Sequence, residues 1–254
     1  MRKYYTRACN FYYGANVKNL IKKKLALPLC ANQKIAFDNI EILSRGKKTK
    51  LIHIKNIKKL PSKIKNIVSR DLKNIVSKRK NLNKHTNISE PLIMGVLNLT
   101  PDSFSDGGLY NQSKKALGHI NDMVSSGANI IDIGGESTRP GSRTIPHKIE
   151  WKRLEKVLVN FKKKFPKIFL SIDTRKSDVM LKAIKYKSDL INDVSGFNYD
   201  QEAVEKIKNY DVWKVLHHMK GTPNTMQINP SYKNVLLDIY DFFEKKINID
   251  FKKF

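Results

Sequence analysis

Short apolar runs that stop abruptly at polar, glycine-rich stretches recur through the back part of this chain. Leu92–Leu97, Asn129–Ile133, Ile168–Ile172, Leu190–Asp193 and Val212–Leu216 are rich in Ile, Leu and Val and only four to six residues long. Runs of that length and content suit strands buried on both faces of a parallel sheet. Between them the apolar period lengthens to that of a helix. Leu117, Ile120, Met123 and Val124 make one face, and Trp151, Leu154, Val157, Leu158 and Phe161 a second. Val179, Ala183 and Ile184 make a shorter third; residues 201–208 supply a fourth helix, and Val235, Leu236, Ile239, Phe243 and Ile247 line the last. Strand and helix alternate five times, which implies a parallel sheet covered by helices.

Residues 1–90 carry a different pattern. Ile35–Leu43 and Leu51–Ile54 read as strands around a turn at Gly46. Ile64, Ile67, Val68, Leu72, Ile75 and Val76 share one face of a helix spanning Ile64–Lys78. Arg79–Glu90 is polar and reads as a linker. The chain therefore divides into a small basic α+β region, 1–90, of unassigned function, and an α/β domain, 91–254.

Charge sharpens that division. The formal net charge is +26, and residues 1–90 hold 23 Lys+Arg against 4 Asp+Glu, leaving 26 against 19 for the remainder. Such a front section would attract polyanions. Lysine, asparagine and isoleucine are abundant throughout, however, without clustered arginines or a nucleic-acid-binding signature, so compositional bias is the simpler explanation and no nucleic-acid partner is expected. No run approaches the roughly 18 apolar residues of a membrane helix, and the N-terminal segment lacks the apolar stretch of a signal peptide. Cys9 and Cys30 follow no Cys-x-x-Cys pattern and read as free thiols of a reducing compartment, so a cytoplasmic protein is expected.

The chemistry gathers where the apolar runs stop. The first gives way at Asn98 to LTPDSFSDGG; the second ends in IDIGGESTRPGS (131–142), the third in SIDT (171–174), the fourth in NDVSG (192–196) and the fifth in HHMKGTP (217–223). Five successive strands delivering polar groups at their carboxyl ends is the habit of a (β/α)8 barrel. An open nucleotide-binding sheet would concentrate its signal in one turn. Gly134–Gly135 lacks the third glycine of the dinucleotide fingerprint, and no phosphate-loop GK[ST] occurs. Each residue has a plain structural alternative: Asn98 could cap a turn, Asp173 could cap the next helix, and Arg139 could be a solvated loop charge. Their joint arrival at five strand ends favours function. Phe104, apolar in mid-loop, is a candidate ligand contact; His217 and His218 read as packing or supporting groups rather than metal ligands.

Together, LNLTPDSFSDGG (97–108), IDIGGESTRPGS, SIDTRK (171–176), NDVSG and HHMKGTPNTMQ (217–227) resemble the dihydropteroate synthase family over residues 91 to about 247. The resemblance implies a transferase of folate biosynthesis that joins p-aminobenzoate to 6-hydroxymethyl-7,8-dihydropterin diphosphate and releases pyrophosphate. By position, Asn98 is similar to the family's metal-contacting asparagine, which implies Mg2+. Thr138 is similar to a diphosphate contact, with Arg139 beside it supplying charge. Asp173 and Asn192 match the pair that grips the amino-pyrimidine edge of the pterin. Phe104 and Pro140 lie on the two loops that close over p-aminobenzoate, and Met219 is counted with the substrate contacts. Asp173, Asn192 and Arg139 form the expected catalytic set.

The chain also departs from that family. Five βα units are present where the barrel has eight, and the Asp-Pro-Gly motif of the sixth strand, the lysine of the seventh and the arginine and histidine of the eighth are missing. The expected fold is a partial (β/α)8 barrel with an apolar inner face and two open edges. A truncated form of the enzyme, poorly folded or inactive alone, is the expectation that follows. The implied partners are small molecules, with room for a homodimer and no membrane. Two rivals are a methyltetrahydrofolate-type pterin-binding methyltransferase and a non-catalytic nucleic-acid-binding protein acting through residues 1–90. The STRPG and TPDSFSDGG loops favour the synthase, because a methyltransferase has no leaving diphosphate to hold.

Overall fold

A computed structural model of the chain describes residues 3–88, 90–100, 109–137, 142–221, 225 and 228–251. It separates into two units, Met1–Asn81 with Lys233–Asp241, and Leu82–Tyr232 with Phe242–Phe254.

In the first unit, β1 (Tyr5–Tyr13) pairs antiparallel with β3 (Ile35–Leu43), which also pairs with β2 (Leu27–Pro28) and β4 (Lys50–His53). A short helix, α1 (Val17–Lys22), follows β1, and α2 (Ser62–Val76) buries Val68 and Leu72 against Phe37, Ile40 and Ile42. The strand at Ile35–Leu43 falls where its alternation places it. β1 escapes a reading based on aliphatic runs, because YTRACNFYY packs through tyrosine and phenylalanine instead. Tyr5 is buried, its ring meets Tyr240 edge-on at 5.2 Å, and its hydroxyl donates to Asp241 at 2.7 Å. The Arg45 guanidinium donates to both Asp238 (2.6 Å) and Asp241 (2.7 Å). These partners lie more than 190 residues away in sequence, so no local periodicity could announce them.

The second unit is an α/β fold on a five-stranded parallel sheet. β5 (Met94–Asn98), β6 (Ile130–Gly134), β7 (Phe169–Asp173), β8 (Leu190–Asp193) and β9 (Trp213–Leu216) lie side by side in sequence order. They are connected through α3 (Leu109–Ser125), α4 (His147–Lys164), α5 (Ser177–Lys185) and α6 (Ala203–Ile207), and α7 (Val235–Lys246) follows β9. Alternation along each strand divides the sheet into two faces. Leu97, Ile131, Ile133, Leu170, Ile172 and Ile191 pack beneath the helices against Ile120, Leu154, Phe161 and Met180. The opposite face begins with an apolar floor, Ile130, Phe169 and Leu190 packed with Leu82, Leu92, Trp213 and Val215.

Three strands run one residue further than their apolar runs. Asn98, Gly134 and Asp173 stay in the ladder, paired in register, so backbone pairing outlasts the hydrophobic pattern. Along the front of the chain the two units divide at Asn81/Leu82. The reason is Leu82: its side chain joins the floor, and its carbonyl accepts the indole N–H of Trp213 at 2.8 Å. Part of the expected linker, from Leu82 to the buried Thr86, is thus packed structure. Among the described residues β5 and β9 each pair with one strand, and Ile93, Met94 and Val96 are exposed. No described helix is long and apolar enough to cross a membrane.

Candidate active site

One rung of the parallel sheet carries the site. Asn98 pairs with Gly134, Gly134 with Asp173, Asp173 with Asn192, and Asn192 with Val215. Gly134 leaves the middle of this rung open. A Cβ there would stand 3.4 Å from Asp173 Oδ2 and 3.5 Å from Asn98 Oδ1, so both side chains lean over the glycine from either side. Two residues earlier on the same face, Asp132 and Ser171 pair in the next rung and separate the site from the apolar floor.

Asp132 ties this lower layer to the upper one. It accepts the Ser171 hydroxyl at 2.5 Å and the Asn192 amide at 3.1 Å, and His217, one residue past β9, bonds through Nε2 to Asn192 Oδ1 at 2.7 Å. Burial makes these carboxylates reluctant to ionise. Asp173 is pushed up to about 7 by burial, with the charges of Asp132, Glu150, Asp193 and Glu136 adding to it. Asp132 is also raised by burial, against the pull of Ser171, Asn192 and His217. Asp193 is raised by burial too, although it accepts the backbone N–H groups of Ser195 (2.7 Å) and Phe197 (3.0 Å).

A second cluster fixes the stems on which the neighbouring loop stands. Glu136 accepts the backbone N–H of Ile145 (2.9 Å) and the Arg175 guanidinium (3.0 Å), and pairs with Lys176 (2.9 Å). Burial pushes Glu136 up, but Arg175, the Ile145 amide and Lys176 outweigh it and hold the carboxyl below its ordinary value. Lys176 also donates to the fully buried Glu150 at 2.5 Å. Residues 136–137 and 142–145 are the two stems of the ESTRPGS loop, and Ser142 closes them by donating to the Ser137 carbonyl at 2.6 Å. Gly135 lets α4 approach this loop: a Cβ there would stand 2.9 Å from the Glu150 carbonyl oxygen and 3.2 Å from Leu154 Cγ. Gly135→Ala is expected to cost about 1–3 kcal/mol in urea unfolding, because the obstacle is backbone.

Of the residues singled out from sequence, Asn98, Asp173 and Asn192 come together on one rung. Phe104, Thr138, Arg139 and Pro140 lie outside the described residues. Met219 is half-buried two residues beyond His217. His218 faces elsewhere, stacked edge-on against Phe242 at 4.6 Å and bonded to the Tyr232 hydroxyl at 3.1 Å. Asp132, Ser171, Glu136, Glu150 and Lys176 went unselected. A carboxylate in the middle of IIDIG and a hydroxyl in the middle of FLSID were the available signals. Among the described residues no three His, Cys, Asp or Glu groups gather as a metal cluster.

Residues 94–250 match the model of the pterin binding enzymes. The chain belongs to the pterin binding enzyme family. Among its pterin-binding relatives, the dihydropteroate synthase of Neisseria meningitidis serogroup B is 43% identical over 162 residues, covering 63% of this chain and 56% of the relative. The solved dihydropteroate synthase of Yersinia pestis, in complex with a sulfonamide drug, is 40% identical with a TM-score of 0.58, covering 64% of this chain and 58% of that one. The Burkholderia cenocepacia dihydropteroate synthase complexed with 7,8-dihydropteroate is 34% identical with a TM-score of 0.55, covering 64% of this chain and 54% of that one. The chain thus spans little more than half the length of these relatives.

Proposed function

We propose that this pterin-binding chain works in dihydropteroate synthesis, condensing p-aminobenzoate with 6-hydroxymethyl-7,8-dihydropterin diphosphate. The observation that carries the reading is the rung that Asn98, Asp173 and Asn192 share, with Asn98 and Asp173 leaning over Gly134. On this reading the five strands are the first five of a (β/α)8 barrel, and the rung lies at their carboxyl ends, where barrels place chemistry.

The reaction breaks the bond between the exocyclic CH2 of the pterin and the diphosphate oxygen, and forms one from that carbon to the amine nitrogen of p-aminobenzoate. No protein nucleophile is required. Asp173 and Asn192 take the amino-pyrimidine edge, and the Asp173 carboxylate favours the positive charge that develops on the pterin as the diphosphate departs. A half-buried carboxyl with its pKa near 7 binds a donor edge well, since the incoming N–H groups replace the solvation that burial removed. Thr138 and Arg139 are assigned to the diphosphate, and Phe104, Pro140 and Met219 to the face that receives p-aminobenzoate.

Mg2+ suits the exposed Asn98, whose side-chain oxygen leans over Gly134 beside Asp173 Oδ2. A hard cation takes oxygen donors, and Mg2+ commonly rests on one or two protein oxygens with phosphate and water completing its shell. When bound it supplies positive charge to the departing diphosphate. The free thiols Cys9 and Cys30 suit the cytoplasmic location this reading assigns.

The test is product formation by the purified chain given both substrates and Mg2+. Release of pyrophosphate that requires p-aminobenzoate, with dihydropteroate appearing in equal amount, supports the reading. Binding of methyltetrahydrofolate without any such release would overturn it in favour of a methyltransferase.

A further inference from the structure

Asn192 is held from two sides by groups of opposite hydrogen-bonding character. Its carbonyl oxygen faces His217 Nε2 at 2.7 Å, and its amide nitrogen faces Asp132 Oδ2 at 3.1 Å. Asp132 is buried and is itself steadied by the Ser171 hydroxyl at 2.5 Å. Asp132 takes the Ser171 hydroxyl on Oδ1 and accepts the nitrogen of the amide on Oδ2; the carbonyl then falls to His217, which must present Nε2–H. Rotating the amide by half a turn would set a carbonyl against a carboxylate and an N–H against an N–H. One orientation is therefore imposed twice, and the amide keeps one N–H and one lone pair free for a ligand beside Asp173.

That arrangement bears on selectivity. An unrestrained asparagine can flip to suit either pattern of donors and acceptors, whereas a fixed one rejects a ligand whose pattern is reversed. We propose that His217 and Asp132 are positioning residues that hold Asn192 in a single amide orientation, and that this makes the site choose 2-aminopteridines over their 2-oxo counterparts. The proposal rests on the reading of this rung as a pterin site.

Two measurements on the full chain separate the proposal from that reading. The side-chain amide of Asn192 is followed by 15N-edited NMR, assigned by its loss in Asn192→Asp. Binding of 6-hydroxymethylpterin and 6-hydroxymethyllumazine is followed by fluorescence titration. His217→Phe, which keeps a ring and removes the donor, is expected to shift the Asn192 amide signals and to cut the preference for the pterin about tenfold, the worth of one hydrogen bond. His217→Gln, which restores an N–H donor, is expected to recover most of both. Asn192 signals that ignore His217→Phe would overturn the lock, and an unchanged pterin preference would overturn its role in selectivity. A wild-type chain that bound neither pteridine would remove the pterin reading and the selectivity with it, leaving the NMR signals to decide the lock.

Discussion

Asp173→Asn is expected to stabilise the fold while abolishing pterin binding. Unfolded, this carboxyl titrates near its ordinary value of 3.8; folded, burial and the charges of Asp132, Glu150, Asp193 and Glu136 bring it to about 7. Between those values the folded state holds a proton that the unfolded state has released. The wild type therefore loses stability as pH rises from about 4, and the full penalty is present above about pH 7. Removing the charge should recover on the order of 2–4 kcal/mol near pH 8 and almost nothing near pH 4. Urea midpoints of the two proteins at both pH values check this. A variant that is less stable at pH 8 would mean that the carboxylate has a partner that the burial argument ignores.

Lys176→Met is expected to destabilise the second unit strongly. Lys176 is buried between Glu136 and Glu150, and Glu150 is fully buried with Oε1 lacking a hydrogen-bond partner. Glu136 keeps Arg175 and the Ile145 amide when the lysine is gone; Glu150 is stranded. Removing one partner of a buried ion pair costs about 3–5 kcal/mol, mostly for the charge left behind. Adding Glu150→Gln should restore most of the loss, because it removes the stranded charge. A double-mutant cycle by thermal unfolding reads the coupling directly.

The sheet was legible because its buried face is aliphatic. Ile131, Ile133, Leu170, Ile172 and Ile191 announce strands that helices will cover. The same signal placed three strand ends a residue short, because Asn98, Gly134 and Asp173 belong to the ladder without being apolar. Strand ends pointed to Asn98, Asp173 and Asn192, which share one rung, and passed over Asp132, which lies inside β6 and accepts the Asn192 amide. No sequence spacing pairs Glu136, Lys176 and Glu150; only packing of the loop stems on α4 and α5 makes them a buried triad. In the first unit, Arg45 and Tyr5 find Asp238 and Asp241 across most of the chain, a pairing that belongs to tertiary structure alone. The loops that hold Phe104, Thr138, Arg139 and Pro140 remain assigned by resemblance.

The decisive measurement is a calorimetric titration of the chain with 6-hydroxymethyl-7,8-dihydropterin diphosphate in the presence of Mg2+. A single saturable site in the wild type, weakened at least about tenfold by Asn98→Ala and by Asn192→Ala with the fold intact, is the predicted result. No heat of binding in the folded wild-type chain, or variants that bind as tightly as the wild type, would show that these strand ends do not meet around a pterin.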